Sequence, residues 1–219
     1  MHRTRIKICG ITRADDALAA VDAGADAIGM ILHANAPRKI SMKSAEQIVG
    51  ALPDETESVG VFVDAAAEFI VEAAKNLELD QVQLHGHESP EIVRSLGSLA
   101  IVKVIRQSDD WATQIAHWKG LAGVRAILLE SGGGPYAGGN GIEPDWDALA
   151  ALLERPGAIN RAALVVAGGL RSDNVANVMR RLRPWSVDGS SGVETAIGLK
   201  SVEKMQAFCA AVRAADRSI

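Results

Sequence analysis

Residues 58–96 read SVGVFVDAAAEFIVEAAKNLELDQVQLHGHESPEIVRSL, and they hold the unit from which the chain is built. Ser58–Val63 is a short β-type run, and Ala65–Leu77 follows with apolar residues at helical spacing. Asp80–Leu84 is β-type again, and Ser89–Leu96 is helical, with Ser89 as cap and Pro90 in the first turn. Toward the N-terminus, Arg5–Cys9 precedes a helical pattern over Arg13–Ala23, in which Ala17, Leu18, Val21 and Ala25 recur at helical spacing and Gly24 is the stop. Ala27–Leu32 precedes a helix near Met42–Leu52. Toward the C-terminus, Ala100–Ile105 leads to Asp109–Trp118, and Ala126–Leu129 leads through a glycine-rich loop to Asp145–Leu153. Ala163–Val166 then precedes Ser172–Arg181, and Trp185–Asp188 precedes a closing helix near Ser201–Ala214.

These are eight strand–helix units. The strand runs are nearly continuous in Val, Ile, Leu and Ala, as expected of parallel strands covered on both faces. Alternation with helices implies right-handed crossovers. An open doubly wound sheet usually has fewer strands, so eight equal units predict an α/β fold closed as a (β/α)₈ TIM barrel, a single domain over residues 1–219. Chemistry in such a barrel sits at the C-terminal strand ends and the loops after them.

The 219 residues are 48% hydrophobic and 23% charged, enough for a sizeable core. A net charge of −4 argues against nucleic acid as a partner bound through a general basic surface. Two cysteines far apart, Cys9 and Cys209, exclude a disulfide scaffold or a cysteine-rich zinc site and suit a reducing cytosol. No apolar run approaches the roughly 20 residues of a membrane span, and MHRTRIKICGIT is too broken for a secretory signal. A soluble cytoplasmic protein is expected; its oligomeric state is not legible.

The predicted strand ends are unusually polar: Cys9, then His33 and Asn35, then Asp64, His85, Arg106, Glu130, the Gly168-Gly169 pair and Asp188. If the barrel closes, a thiol, two imidazoles and three carboxylates meet at one mouth, a set suited to acid–base work on a small substrate. An isolated cysteine is often only a small hydrophobe. Cys9 differs in lying between a β-run and the turn at Gly10, so its thiol should face the mouth, where it could act as a base if its pKa were lowered. Cys209 reads as filler on the last helix. Ala167-Gly168-Gly169-Leu170 and Asp188-Gly189-Ser190-Ser191-Gly192-Val193-Glu194 read as anion cradles, because loops after strands seven and eight of a barrel often bind phosphate through backbone N–H groups. In Ser131–Gly141, SGGGPYAGGNG, the spacing Gly132-x-Gly134-x-x-Ala137 mimics a dinucleotide fingerprint, but Pro135 interrupts it and no helix opens there; a mobile lid is the better reading. His85-x-His87 lacks a second ligand cluster, so no metal is expected. Arg38 follows strand two, where a guanidinium suits a bidentate grip on a carboxylate.

Lys7-Ile8-Cys9-Gly10-Ile11-Thr12, Ala36-Pro37-Arg38-Lys39-Ile40-Ser41, Val59-Gly60-Val61-Phe62-Val63, Val82-Gln83-Leu84-His85-Gly86, Ala167-Gly168-Gly169-Leu170 and Val187–Glu194 together resemble the phosphoribosylanthranilate isomerase family of tryptophan biosynthesis. The likeness runs from about Arg5 to the last helix. It implies a (β/α)₈ barrel without cofactor and an Amadori rearrangement of a small phosphoribosyl substrate by general acid–base catalysis. By resemblance, Cys9 is the base and Arg38 grips the anthranilate carboxylate. His85 and Asp188 join the substrate site, and Gly168, Gly169, Gly189, Ser190 and Ser191 hold the phosphate. The family has aspartate as the acid where this chain has Glu130, and Gly-Gly-Thr-Gly where this chain has Gly138-Gly139-Asn140-Gly141. The extra methylene displaces the carboxyl by on the order of 1 Å, a shift that can cost roughly 100-fold in rate. Two other readings stay open: a related barrel enzyme acting on a different phosphorylated ribose derivative, and a non-catalytic phosphate-binding module.

Overall fold

The computed structural model describes residues 3–108, 110–134, 136, 138–155 and 157–218. The predicted helix start at Asp109, and Pro135 and Ala137 of the glycine-rich loop, lie outside them. Eight parallel strands close into a barrel in sequence order: β1 (Arg5–Cys9), β2 (Ala27–His33), β3 (Glu57–Phe62), β4 (Gln81–Leu84), β5 (Ile101–Arg106), β6 (Val124–Glu130), β7 (Leu164–Val166) and β8 (Ser186–Gly189). Closure is made by β8 against β1, with Lys7 opposite Asp188. The helices α1 (Ala14–Asp22), α2 (Met42–Val49), α3 (Ala67–Asn76), α4 (Pro90–Ser95), α5 (Trp111–Trp118), α6 (Trp146–Leu153), α7 (Val175–Leu182) and α8 (Val202–Asp216) alternate with the strands. None is long and apolar enough to cross a membrane.

The boundaries follow local chemistry. Ser41, Asp145 and Ser201 cap α2, α6 and α8 through side-chain oxygens that accept backbone N–H groups. Gly24, with φ +102°, ends the first helical segment as predicted. Ser89 stands at the predicted cap position of α4 but makes no cap bond; Pro90 alone marks the first turn. Between β8 and α8 the chain adds a 3₁₀ turn (Ser191–Val193) and a hairpin of β9 (Glu194–Ala196) and β10 (Leu199–Lys200), which turns at Gly198. The hairpin has no counterpart in the sequence reading, because two strands of three and two residues leave no periodicity to detect.

Strand alternation sorts each side chain to the helical shell or to the lumen. Ile6, Ile8, Val82, Leu84, Ile127, Leu129, Leu164, Val166 and Val187 belong to the shell core against the helices. The opposite parity faces inward. Val102, Val104, Ala126, Leu128, Val165 and Ala167 form a separate apolar cluster on the β5–β7 side of the lumen. On the side of β1, β4 and β8 the inward positions are Lys7, Gln83 and Asp188, all buried. The expected continuous apolar runs are therefore broken at specific places, and the polar residues inside them converge.

Candidate active site

Cys9 closes β1, and Lys7, two residues earlier, shares its inward face. Both depend on Gly29 of β2, where a Cβ would lie 2.7 Å from the Cys9 sulfur and 3.0 Å from Lys7 Cε. In that space Lys7 Nζ donates to Asp188 Oδ2 at 2.6 Å and to Gln83 Oε1 at 3.0 Å. Asp188 Oδ1 is buried with no hydrogen-bond partner among the described residues. Burial works against the Lys7 charge, yet Asp188 and Cys9 more than offset it, so the ammonium is held above its ordinary pKa. Burial pushes the Cys9 thiol up, and Lys7 opposes this without cancelling it. The lowered thiol pKa that would make Cys9 a ready base is thus not found, because the closed site desolvates the thiolate. Burial likewise raises Asp188 against the opposing pull of Lys7.

Gln83 Nε2 lies 3.1 Å from His85 Nδ1, and His85 Nε2 lies 2.7 Å from Glu130 Oε1. Both ring nitrogens of His85 are therefore engaged by protein. Arg106 donates to the His85 carbonyl at 2.6 Å and places Nε 3.5 Å from Glu130 Oε1. Arg38 is buried, and its Nε and Nη2 grip Glu194 at 2.8 and 2.7 Å. One edge of its fork is spent on the protein, so a carboxylate ligand is left the Nη1/Nη2 end. The β9–β10 hairpin brings Lys200 Nζ to 2.9 Å from Glu194 Oε1, and the same ammonium donates to the carbonyls of Cys9 at 2.7 Å and Ser190 at 3.1 Å. Burial raises Glu194, but Arg38 and Lys200 together hold its carboxyl below the ordinary value.

A cavity of about 40 Å³ at this end of the barrel is lined by Cys9, Gln83, His85, Glu130, Asp188, Gly168, Gly169, Ser190 and Ser191. Gly168 and Gly169 take φ +99° and +60°, the left-handed region that favours glycine. A Cβ on Gly192 would strike the Leu170 carbonyl, so glycine is what lets the loops after β7 and β8 meet. The loop after β6 lies across the mouth. A Cβ on Gly138 would sit 2.6 Å from His85 Cε1 and 3.2 Å from Glu130 Oε2, and one on Gly139 would sit 2.9 Å from Arg38 Nη1. Asn140, at the position where the resemblance expects threonine, donates to the carbonyls of Gly133 and Tyr136 and ties this loop to itself.

Of the predicted strand-end set, Cys9, His85, Glu130, Asp188 and the Gly168-Gly169 pair line the cavity; Gly189 lies one residue before Ser190 at the end of β8. His33 and Asp64 do not line it. The register of β2 shifts between Ile31 and His33, and the His33 ring packs on Phe69 with Nδ1 2.9 Å from the Val63 carbonyl. Asp64 takes φ +49° and accepts from His87 N at 2.6 Å. His87 is exposed while His85 is buried, so the two imidazoles of His85-x-His87 do not face one point. The sequence reading missed Lys7, Gln83, Glu194 and Lys200. A polar residue two positions before Cys9 or His85 within an apolar run was the available signal for the first two.

The profile of the family described as N-(5'-phosphoribosyl)anthranilate (PRA) isomerase matches residues 6–211. The chain is 41% identical to an N-(5'-phosphoribosyl)anthranilate isomerase of Pseudomonas paraeruginosa, covering 99% of each sequence. Its fold resembles the phosphoribosyl anthranilate isomerase of Thermotoga maritima, with a TM-score of 0.84, 33% identity and coverage of 96% of this chain and 99% of that one. It also resembles an isomerase of that name in complex with reduced 1-(o-carboxyphenylamino)-1-deoxyribulose 5-phosphate, at TM-score 0.81 and 31% identity, over 96% of this chain and 99% of that one. With its eight-stranded barrel and full-length match to these proteins, the chain belongs to the N-(5'-phosphoribosyl)anthranilate isomerase family.

Proposed function

We propose that this chain catalyses the Amadori rearrangement of N-(5-phosphoribosyl)anthranilate to 1-(2-carboxyphenylamino)-1-deoxyribulose 5-phosphate, a step of tryptophan biosynthesis, as one cytoplasmic barrel domain without a cofactor. The observation that carries this reading is that Cys9 and Glu130, from β1 and β6, line one cavity together with the glycine and serine loops after β7 and β8. In this reading Glu130 protonates the furanose ring oxygen; the C1–O bond breaks and the anthranilate nitrogen supplies the electrons for an iminium. Cys9, as thiolate, takes the C2 proton, and the C–H electrons return to nitrogen through an enolamine that tautomerises to the ketone. Lys7, and in this reading the cationic iminium, place positive charge beside the buried thiolate. The end of Arg38 left free by Glu194 faces the anthranilate carboxylate, Asp188 Oδ1 accepts a substrate hydroxyl, and the phosphate rests on Gly168, Gly169, Gly189, Ser190 and Ser191.

A pocket for a ligand of this kind usually occupies 300–1,000 Å³. The cavity of about 40 Å³ beneath Gly138 and Gly139 is smaller, and in this reading the loop after β6 stands away for substrate entry. Turnover of freshly prepared phosphoribosylanthranilate, followed by loss of its fluorescence, tests the reading. Cys9→Ala and Glu130→Gln are each expected to lower kcat by about 10²–10⁴-fold while a ribose-phosphate ligand still binds. Full activity in either variant removes that residue from the role given to it. Absence of turnover in the unaltered chain, with phosphate ligands still bound, moves the substrate to another phosphorylated ribose derivative.

A further inference from the structure

Four buried side chains form a single file through the lumen: Lys7, Gln83, His85 and Glu130. Their contacts are Lys7 Nζ to Gln83 Oε1 at 3.0 Å, Gln83 Nε2 to His85 Nδ1 at 3.1 Å, and His85 Nε2 to Glu130 Oε1 at 2.7 Å. Chemistry fixes the direction of every bond in this file. An ammonium can only donate, so the amide oxygen of Gln83 must face Lys7. The amide NH₂ then faces His85 and can only donate, so Nδ1 must accept and carries no proton. The ring proton therefore sits on Nε2 and is donated to Glu130.

We propose that Lys7 and Gln83 are positioning residues that lock His85 in its neutral Nε2–H form, and that this form aims and supports Glu130 as the proton donor. The proposal rests on the isomerase reading above. Held at Oε1 by His85, the Glu130 side chain presents Oε2 toward Gly138 and the mouth, where the proton to be given must sit. When that proton leaves, the carboxylate that remains already accepts a bond from His85. Arg106 already places a guanidinium 3.5 Å from Glu130 Oε1, and a neutral His85 adds no second positive charge that would further favour the carboxylate before the substrate arrives. Reach also enters. Glutamate is the longer of the two carboxyl side chains, and a bond to a fixed imidazole removes the rotamer freedom that the extra methylene adds. Lys7 is the end of the file nearest Cys9, so one ammonium serves the base by its charge and the acid by its direction of donation.

The direct test is the ¹⁵N spectrum of the imidazole nitrogens in the full chain at neutral pH, with His85 assigned among the five histidines by its loss in His85→Gln. One protonated nitrogen at Nε2 and one unprotonated at Nδ1 is the expected result. A proton on Nδ1, or on both nitrogens, overturns the proposal whatever the activity. Gln83→Glu then replaces the donor that faces Nδ1 by an acceptor of the same size, which draws a proton onto Nδ1. Both nitrogens should become protonated, and kcat should fall by about 10-fold or more, part of the 10²–10⁴-fold that an acid–base group supplies, with KM within about 3-fold. An unchanged kcat with a doubly protonated His85 also overturns it. Lack of turnover by the unaltered chain defeats the isomerase reading instead, and the spectrum still reports the tautomer.

Discussion

Lys7 and Lys103 are both buried, on opposite faces of the barrel wall. Lys7 faces the lumen, where Asp188, Cys9 and the Gln83 amide favour its charge. Lys103 faces the shell, with its ammonium 5.3 Å from the Trp118 ring centre, and donates to Glu88 Oε2 at 2.6 Å and to the carbonyl of Gly86 at 2.8 Å. Burial lowers the pKa of Lys103, and Glu88 recovers only part of the loss. Glu88 in turn accepts from the backbone N–H groups of Asp64 and Gly86, so the shell pair ties down the loop after β4. The same residue type, one strand parity apart, thus serves chemistry on one face and architecture on the other.

Removing each ammonium separates the two roles. Lys7→Met is expected to keep the fold and lower kcat by about 10²–10⁴-fold, since it withdraws support from both members of an acid–base pair. Burial already pushes the Asp188 carboxyl up against the pull of Lys7, which limits the cost of leaving it without that ammonium. Lys103→Met leaves the Glu88 carboxylate buried without a counter-ion and is expected to cost about 3–5 kcal/mol, read as a lower urea midpoint, with kcat within about 10-fold. Equal losses of turnover in the two variants would erase the distinction.

Glu130→Asp sharpens the comparison inside the lumen. It shortens the reach to His85 by on the order of 1 Å, a displacement that can cost up to roughly 100-fold in kcat, and the variant should still stay above Glu130→Gln because the carboxyl chemistry remains. The last comparison, Glu194→Gln, is read through pH. The folded value of Glu194 lies below its unfolded value, so the stability it contributes is present above the ordinary carboxylate pKa of about 4.3 and is lost as pH falls through the folded one. The decline of the urea midpoint on acidification should therefore become shallower in Glu194→Gln.

The barrel was legible because its signal is repeated: each strand and helix is short, but eight alternations leave few arrangements that bury every apolar face. Cys9, Glu130, Asp188 and the glycine loops were legible for the same reason, since closure brings strand ends together regardless of side-chain detail. His33 and Asp64 were placed at the mouth by the same rule and do not line the cavity. A one-residue register shift in β2 and a left-handed backbone at Asp64 re-aim them, and neither leaves a mark in a local pattern.

From the sequence alone came the order of the elements and which chemical groups stand at the strand ends. These depend on period and adjacency, which are properties of short stretches of chain. Tertiary structure alone decided which groups touch. Lys7 meets Gln83 across 76 positions of sequence, His85 meets Glu130 across 45, and Arg38 meets Glu194 across 156. Whether a buried charge is paired depends on partners that arrive only when the barrel closes. The direction of each hydrogen bond, and with it the protonation of the site, follows from that closure.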